Sequence, residues 1–167
     1  MTLGQRILRH LFTTQHAVRA AFSSETLAAV EQAIRDGEQA HGGQLRFVVE
    51  GGLDGPPLWQ GQPARERAVD LFSQLRIWDT EHNCGVLIYV LFADRAVEIV
   101  ADRGIHACCG DQARHEVCVE MQSQFTEGRL AEGSLAGVRA VGELLVRHFP
   151  RRLPEETNEL PDRPLLM

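Results

Sequence analysis

The sequence predicts an α/β fold, a three-layer α/β/α sandwich with a small mixed sheet and helices on both faces. The hydrophobic patterns run helix, strand, helix, strand, strand, helix, helix. This order implies a βαβ crossover followed by an antiparallel hairpin. The strand at 85–92 is apolar at nearly every position (GVLIYVLF), which indicates that helices cover both of its faces. The chain has 167 residues, of which 44% are hydrophobic and 24% charged, enough for one domain with a core.

The N-terminal segment, residues 1–21, is predicted to be an amphipathic helix over 3–20. It has three arginines, no acidic residue, and apolar side chains that recur near one face: Leu3, Ile7, Leu11 and Val18. Three surroundings suit such a helix: the body of the protein, a second subunit in a homodimer, or a membrane surface. The sequence leaves these alternatives open.

The next elements lead into the sheet. Ser23 and Ser24 are suitable N-caps for a helix that runs to about residue 40, where a Gly-Gly pair ends it. A buried strand is predicted at 45–49. Four glycines and three prolines between 51 and 63 predict a loop.

The second half of the chain completes the sandwich. A helix is predicted at 64–78, because its apolar residues recur at helical spacing. The strands at 85–92 and 96–101 are joined by a tight turn and form the hairpin. Two further helices are expected at 111–125 and 133–148.

The domain is predicted to span residues 22–149, with a flexible extension at 150–167. The extension contains prolines, arginines and acidic residues but few large apolar groups, a composition that is typical of mobile termini. The N-terminal helix and this extension would then flank a single domain.

Charge and hydropathy narrow the classes of function. The net charge of −6 disfavours general nucleic-acid binding, which requires a basic surface. No run approaches the roughly 18 apolar residues of a membrane span, and the N-terminus lacks the apolar block of a signal peptide. We therefore expect a cytoplasmic protein whose four cysteines are reduced.

Strand directions bring two polar loops to the same end of the sheet. Residues 79–83 precede the central strand, and residues 102–111 follow the antiparallel strand beside it. Their carboxylate and amide oxygens are ligands that Ca²⁺ or Mg²⁺ prefers. Five metal-binding side chains are predicted there: Asp79, Glu81, Asn83, Asp102 and Asp111. The alternative is a solvated loop whose carboxylates pair with arginines.

Arg103 and His106 lie in the same loops and are predicted to bind substrate if the protein is an enzyme. A phosphatase would use the metal ion to hold phosphoryl oxygens, and Arg103 would supply positive charge. The sequence has no Gly-rich phosphate loop and no Asp-x-Asp motif. No catalytic residue is therefore assigned, and enzymatic activity stays an open question.

A zinc site is a second metal hypothesis, less favoured than calcium or magnesium. Nitrogen and sulfur ligands that suit zinc occur close together in the chain: His106, Cys108, Cys109, His115 and Cys118. Their spacing matches no common zinc pattern. A small cysteine within a helix is also typical of a buried core position.

Four segments resemble the TPM domain family, in its short bacterial branch without signal peptide or membrane anchor. They are NCGVLIYV at 83–90, the turn Asp94-Arg95, VEIVADRGI at 97–105 and FTEGRL at 125–130. The family is named for a thylakoid-lumen protein, a photosystem repair protein and a receptor-modulating membrane protein. The resemblance extends from about residue 22 to residue 149.

The resemblance implies two hypotheses of function. Some family members bind divalent metals, including calcium, through acidic loops at one end of the sheet, and acid phosphatase activity is attributed to a plant lumenal member. The first hypothesis is therefore a soluble TPM-domain protein that binds Ca²⁺ or Mg²⁺, with weak phosphatase activity. Other members are thought to act through proteins at membranes. The alternative is a non-catalytic interaction module with a membrane-associated partner.

Overall fold

A four-stranded sheet in the order β3-β2-β1-β4 lies at the centre of the molecule. The structure is a computed structural model, and it describes residues 2–151 and 158–167. The strands are β1 (Gln44–Glu50), β2 (Gly85–Leu91), β3 (Ala96–Ala101) and β4 (Leu165–Leu166). β1 is parallel to β2 and β4, whereas β2 and β3 form an antiparallel hairpin. The predicted mixed sheet is thus confirmed.

Helices cover both faces of the sheet. They are α1 (Leu3–Phe12), α2 (Gln15–Ala21), α3 (Ser24–Glu38), α4 (Gly55–Trp59), α5 (Ala64–Gln74), α6 (Arg103–Thr126) and α7 (Leu130–His148). Side chains of α3, α6 and α7 pack on one face together with Phe47, Val49 and Ile88. Side chains of α4 and α5 pack on the other face with Val48 and Leu87. This arrangement confirms the three-layer sandwich.

β2 is buried at all seven positions. Val86, Ile88 and Val90 belong to one hydrophobic cluster, and the alternate residues Leu87 and Tyr89 belong to the other. Successive side chains of a strand point to opposite faces, so each core receives alternate residues of the same strand. This is why the segment reads as a continuous apolar run.

The predicted single N-terminal helix at 3–20 is wrong, because the chain breaks between α1 and α2. Thr14 is the N-cap of α2, and its side chain accepts a hydrogen bond from the N–H of Ala17 at 3.1 Å. The break places Val18 in the core and leaves Leu11 59% exposed. The apolar residues of the predicted face therefore do not share one surface.

Two other boundaries differ around the crossover. The loop predicted at 51–63 contains α4, which has prolines in its first turn, where their missing N–H groups are tolerated. The helix predicted at 64–78 ends at Gln74, since Arg76 has a left-handed backbone with φ of 55°. As a result Ile77 is fully buried, and Trp78 is 49% exposed.

The last two helices begin earlier than predicted. α6 starts at Arg103 rather than Asp111, and it is interrupted at Gly110, where φ is 68° and ψ is 171°. Glycine adopts this conformation without a Cβ clash. α7 starts at Leu130 rather than residue 133.

The flexible extension predicted at 150–167 is wrong for residues 158–167. Leu160 is 8% exposed, and the side-chain oxygen of Gln44 accepts hydrogen bonds from the N–H groups of Glu159 and Leu160. β4 then extends the sheet, and the N–H of Met167 donates to the carbonyl of Val49 at 2.8 Å. A two-residue strand has no detectable periodicity, which explains the missed element. Residues 152–157 lie outside the described residues.

Glu38, at the end of α3, lies where the C-terminal segment meets the body. Its carboxyl group accepts a hydrogen bond from the N–H of Leu45 at 2.9 Å. Burial raises the pKa of Glu38 from its ordinary value of 4.5 to about 8, and the nearby Asp162 contributes to the same direction. Between about pH 4.5 and about pH 8, Glu38 therefore keeps a proton in the folded state that the unfolded chain releases.

We predict that the contribution of Glu38 to the free energy of unfolding decreases as the pH rises through the window from about 4.5 to about 8. In this window the carboxyl group of Glu38 binds more protons in the folded state than in the unfolded state, so its contribution to the slope of stability against pH is negative. The Glu38→Gln variant should therefore have a less negative, or more positive, slope than the native chain. Urea unfolding between pH 5 and pH 9 measures it, with the exposed Glu25→Gln as control. Equal slopes for Glu38→Gln and the native chain would contradict the assignment.

The end of the sheet at which β2 begins is closed by backbone hydrogen bonds between two loops. The N–H of Asp102 donates to the carbonyl of Gly85 at 2.9 Å, and the N–H of Gly104 donates to the carbonyl of Asn83 at 3.1 Å. A Cβ on Gly104 would lie 2.7 Å from that carbonyl oxygen and 3.0 Å from the carbonyl oxygen of His82. Only glycine allows this approach of α6 to the loop.

The Gly104→Ala variant should therefore lose about 1–3 kcal/mol of stability, the usual cost of overpacking. Backbone oxygens cannot move aside as a flexible side chain does. Gly4→Ala is the matched control, because a Cβ on Gly4 meets nothing within 4 Å. Thermal and urea unfolding measure both variants, and equal stability of the two would refute the close approach.

Candidate functional site

Asp102 is the most unusual carboxylate at the predicted acidic end of the sheet. It is the N-cap of α6, where Oδ1 accepts a hydrogen bond from the N–H of Arg103 at 2.7 Å. The residue is 8% exposed, and its buried Oδ2 has no hydrogen-bond partner within the described residues. Buried carboxylate oxygens ordinarily face a donor or a cation, so Oδ2 is the atom here best suited to bind a cation.

The other four predicted ligands are exposed, and Asp111 lies within α6 rather than in a loop. Asp79 pairs with Arg76 at 2.5 Å, and Asp111 pairs with Arg114. Glu81 and Asn83 are also exposed, and Asn83 has a left-handed backbone with φ of 50°. Two of the five predicted ligands thus form the arginine pairs of the alternative hypothesis. No cluster of three or more His, Cys, Asp or Glu able to hold a metal ion occurs in residues 2–151 and 158–167.

Glu159 adds a carboxylate that the sequence analysis missed. Its Oε2 accepts a hydrogen bond from the N–H of Glu81 at 3.0 Å, so the C-terminal segment reaches the loop that precedes β2. The residue was assigned to a flexible extension, and no local pattern marks its return to the sheet. The acidic end of the sheet therefore receives carboxylates from three separate segments.

The two predicted substrate-binding residues have different surroundings. Arg103 is exposed, and its side chain has no partner in the part of the chain that the structure describes. Nδ1 of His106 accepts a hydrogen bond from Arg114 at 2.9 Å, which leaves the proton of a neutral imidazole on Nε2. Arg114 is 6% exposed and was not predicted from the sequence. It orients His106 and Asp111 together.

The zinc hypothesis receives little support from the geometry. Burial raises the pKa of the Cys118 thiol to about 11, which disfavours the thiolate that zinc requires. Cys108 is exposed, whereas Cys118 packs in the core. Cys118 is better described as a small apolar core residue.

At the opposite end of the sheet, the carboxylate of Asp94 holds α1 against the hairpin. It accepts hydrogen bonds from Arg6 at 2.9 Å, from His10 Nε2 at 3.0 Å and from Arg9. The other ring nitrogen of His10 accepts from the N–H of Leu53 at 2.9 Å. Burial alone would raise the pKa of Asp94, but the bonds from Arg6 and His10 outweigh it and lower the pKa below its ordinary value.

Glu50 forms a second saturated network beside this one. Arg67 donates two hydrogen bonds to its carboxylate at 2.9 and 2.6 Å, and the hydroxyl of Tyr89 donates a third at 2.6 Å. Burial, followed by the neighbouring Glu50, raises the pKa of Tyr89. All of these groups have partners, so the network ties α5 to the sheet and offers no free group for catalysis.

Helix α1 exposes large apolar side chains to solvent. Leu8, Leu11 and Phe12 are 55%, 59% and 78% exposed, and their spacing places them on one face of the helix. The side chains of Arg6, Arg9 and His10 bind Asp94 instead. We call these three residues the α1 stripe. None of the helices in the described ranges has the length and apolar character needed to cross a membrane.

Comparison with known proteins places this fold in a family. The family model for the TPM domain matches residues 18–144. The NMR structure of the BA42 protein from the psychrophilic bacterium Bizionia argentinensis is 28% identical, with a TM-score of 0.75 over 87% of this chain and 94% of that chain.

A second solved structure, the N-terminal domain of a protein from P. gingivalis, shares the fold. It is 19% identical, with a TM-score of 0.62 over 78% of this chain and 82% of that chain. No curated protein matches the sequence. The family model covers well over half of the chain, and the predicted resemblance is confirmed: the chain belongs to the TPM domain family.

Proposed function

We propose that this TPM domain binds a divalent cation, Ca²⁺ or Mg²⁺, at the acidic end of the sheet. The observation that carries the proposal is the buried, unpartnered Oδ2 of Asp102. Oxygen ligands suit both ions, and Ca²⁺ accepts an irregular shell that includes backbone carbonyls and water.

The neighbouring carboxylates determine how tight such a site is. Asp79 and Asp111 are already paired with arginines, so either would have to leave its partner to bind the ion. Glu81 and Glu159 are the remaining carboxylates in the adjoining segments. With one preorganised carboxylate, we expect a weak site, with a Kd on the order of 10⁻⁴–10⁻³ M.

We further propose that the bound cation supports weak hydrolysis of phosphomonoesters. A bound divalent ion would hold phosphoryl oxygens and activate water. Arg103 is exposed next to Asp102, and its guanidinium has no hydrogen-bond partner among the described residues. It could therefore bind a phosphoryl oxygen. Hydrolysis of para-nitrophenyl phosphate by the native chain, lost in Asp102→Asn, is the expected result for an enzyme.

The Asp102→Asn variant should lose cation binding while the fold is kept, because asparagine caps a helix as well as aspartate does. Thermal unfolding of chelator-treated protein measures it. Cation at about 100 times Kd adds roughly 2.7 kcal/mol to the native protein, or about 5–10 °C in Tm for a chain of this size. The variant should show no such shift.

The control for this experiment is Asp36→Asn, an exposed carboxylate on α3. It should retain the full cation-dependent shift. Absence of a shift in the native protein with both ions, or an equal shift in Asp102→Asn, contradicts the proposed site. A shift with zinc alone would instead favour the Cys/His hypothesis.

A second proposed function is docking through the α1 stripe. The observation that favours it is the outward position of Leu8, Leu11 and Phe12. Arg6 and Arg9 are bound to Asp94, so they are poorly placed to attract anionic lipid. A protein surface is therefore the better partner, and a second copy pairing stripe to stripe is the simplest case. A membrane-associated protein is the other candidate partner.

The Leu8→Ser/Phe12→Ser double variant should weaken self-association by at least about tenfold, since two exposed apolar side chains leave the interface. Light scattering over a range of concentrations measures it. Val69→Ser/Val119→Ser is the matched control, because these side chains are exposed elsewhere, on α5 and α6. A native chain that stays monomeric at every concentration contradicts pairing of two copies.

A further inference from the structure

A groove of about 860 Å³ lies between α3 and α7, on the face of the sheet away from α4 and α5. Most of its lining is apolar: Ala29, Ala33, Leu135, Val138, Gly142 and Val146. Its volume is within the range of small-molecule sites, which are mostly apolar with a few placed polar groups. None of the residues proposed for the cation site or for the α1 stripe belongs to this groove.

His41 is the placed polar group of the groove. The residue is 2% exposed and lines the groove next to the end of α3. Its Nδ1 donates a hydrogen bond to the carbonyl of Gly43 at 3.1 Å, so Nε2 of the neutral ring is an acceptor. Burial lowers the pKa of His41 to about 4. Nε2 has no hydrogen-bond partner in residues 2–151 or 158–167.

Two glycines leave space beside this nitrogen. A Cβ on Gly37 of α3 would lie 3.2 Å from Nε2, and a Cβ on Gly142 of α7 would lie 3.9 Å from it. Both glycines line the groove. The acceptor therefore lies between the two helices at the point where neither has a side chain.

The charges around the groove are of both signs. Asp36 and Glu143 supply negative charge, and Arg139 and Arg147 supply positive charge. Neither sign is in excess, so the rim does not select an anion or a cation. A neutral ligand is the one that the groove favours.

We propose that the groove between α3 and α7 binds a neutral apolar small molecule that donates one hydrogen bond, from a hydroxyl group, to Nε2 of His41. The apolar part would lie against the alanine, leucine and valine side chains of the two helices. The hydroxyl would donate to a ring nitrogen that has no hydrogen-bond partner within the described residues.

The experiment compares two probes in an NMR titration of the full chain: 4-butylphenol, which has a hydroxyl donor, and 4-butylanisole, in which the hydroxyl is methylated. The phenol should shift the amide resonances of α3 and α7 and bind about tenfold or more tightly than the anisole, the usual discrimination of one buried hydrogen bond. Equal affinities would refute the role of His41. Shifts that lie outside α3 and α7 would refute the site.

A second measurement uses Gly142, where an added Cβ makes no clash, since it meets only His41 Nε2 at 3.9 Å. Gly142→Leu should fill the groove and abolish phenol binding, and Gly142→Ala should weaken it less. Gly4→Leu, in the open surroundings of α1, is the matched control and should bind as the native chain does. Unchanged phenol affinity in Gly142→Leu overturns the proposal.

Discussion

β2 has no solvent-exposed face, and the rest of the structure depends on this constraint. Its seven residues are buried, and a strand in this position needs a strand on each edge and a helical layer on each face. β1 and β3 lie along the two edges of β2. One face is covered by α3, α6 and α7, and the other by α4 and α5. β2 therefore has no charged side chain, and the hydroxyl of Tyr89, its one polar side-chain group, donates a hydrogen bond to Glu50.

The two ends of the sheet differ in how fully their carboxylates are paired. Glu50 and Asp94 each have three donors, and these bonds fix α5 and α1 in place. Asp102 has one donor and one unpartnered buried oxygen. Carboxylates whose oxygens are all hydrogen-bonded hold elements together, whereas a buried oxygen without a partner costs stability. A ligand is therefore more to be expected at the end of the sheet that contains Asp102.

Local patterns predicted the sheet centre and its flanking helices, because burial of 85–92 leaves an uninterrupted apolar run in the sequence. They did not predict the break at Thr14, since a threonine in a helical pattern is not by itself a boundary. They also failed for β4 and Glu159, whose places are fixed by long-range pairing with Val49 and Glu81. Backbone hydrogen bonds join the segment before β2 to the start of α6, but arginine pairing of Asp79 and Asp111 depends on side-chain geometry that spacing does not encode.

The number of hydrogen-bonded ring nitrogens distinguishes the two buried histidines, His10 and His41. Both ring nitrogens of His10 are hydrogen-bonded, one to Leu53 and one to Asp94. These bonds hold α1 in place and leave neither nitrogen for a ligand. His41 uses only Nδ1 and presents Nε2 between two glycines. Both are as buried as core leucines, and burial alone would place them in one class. Their unequal hydrogen bonding is what makes His10 an anchor and gives His41 a free acceptor inside an apolar groove.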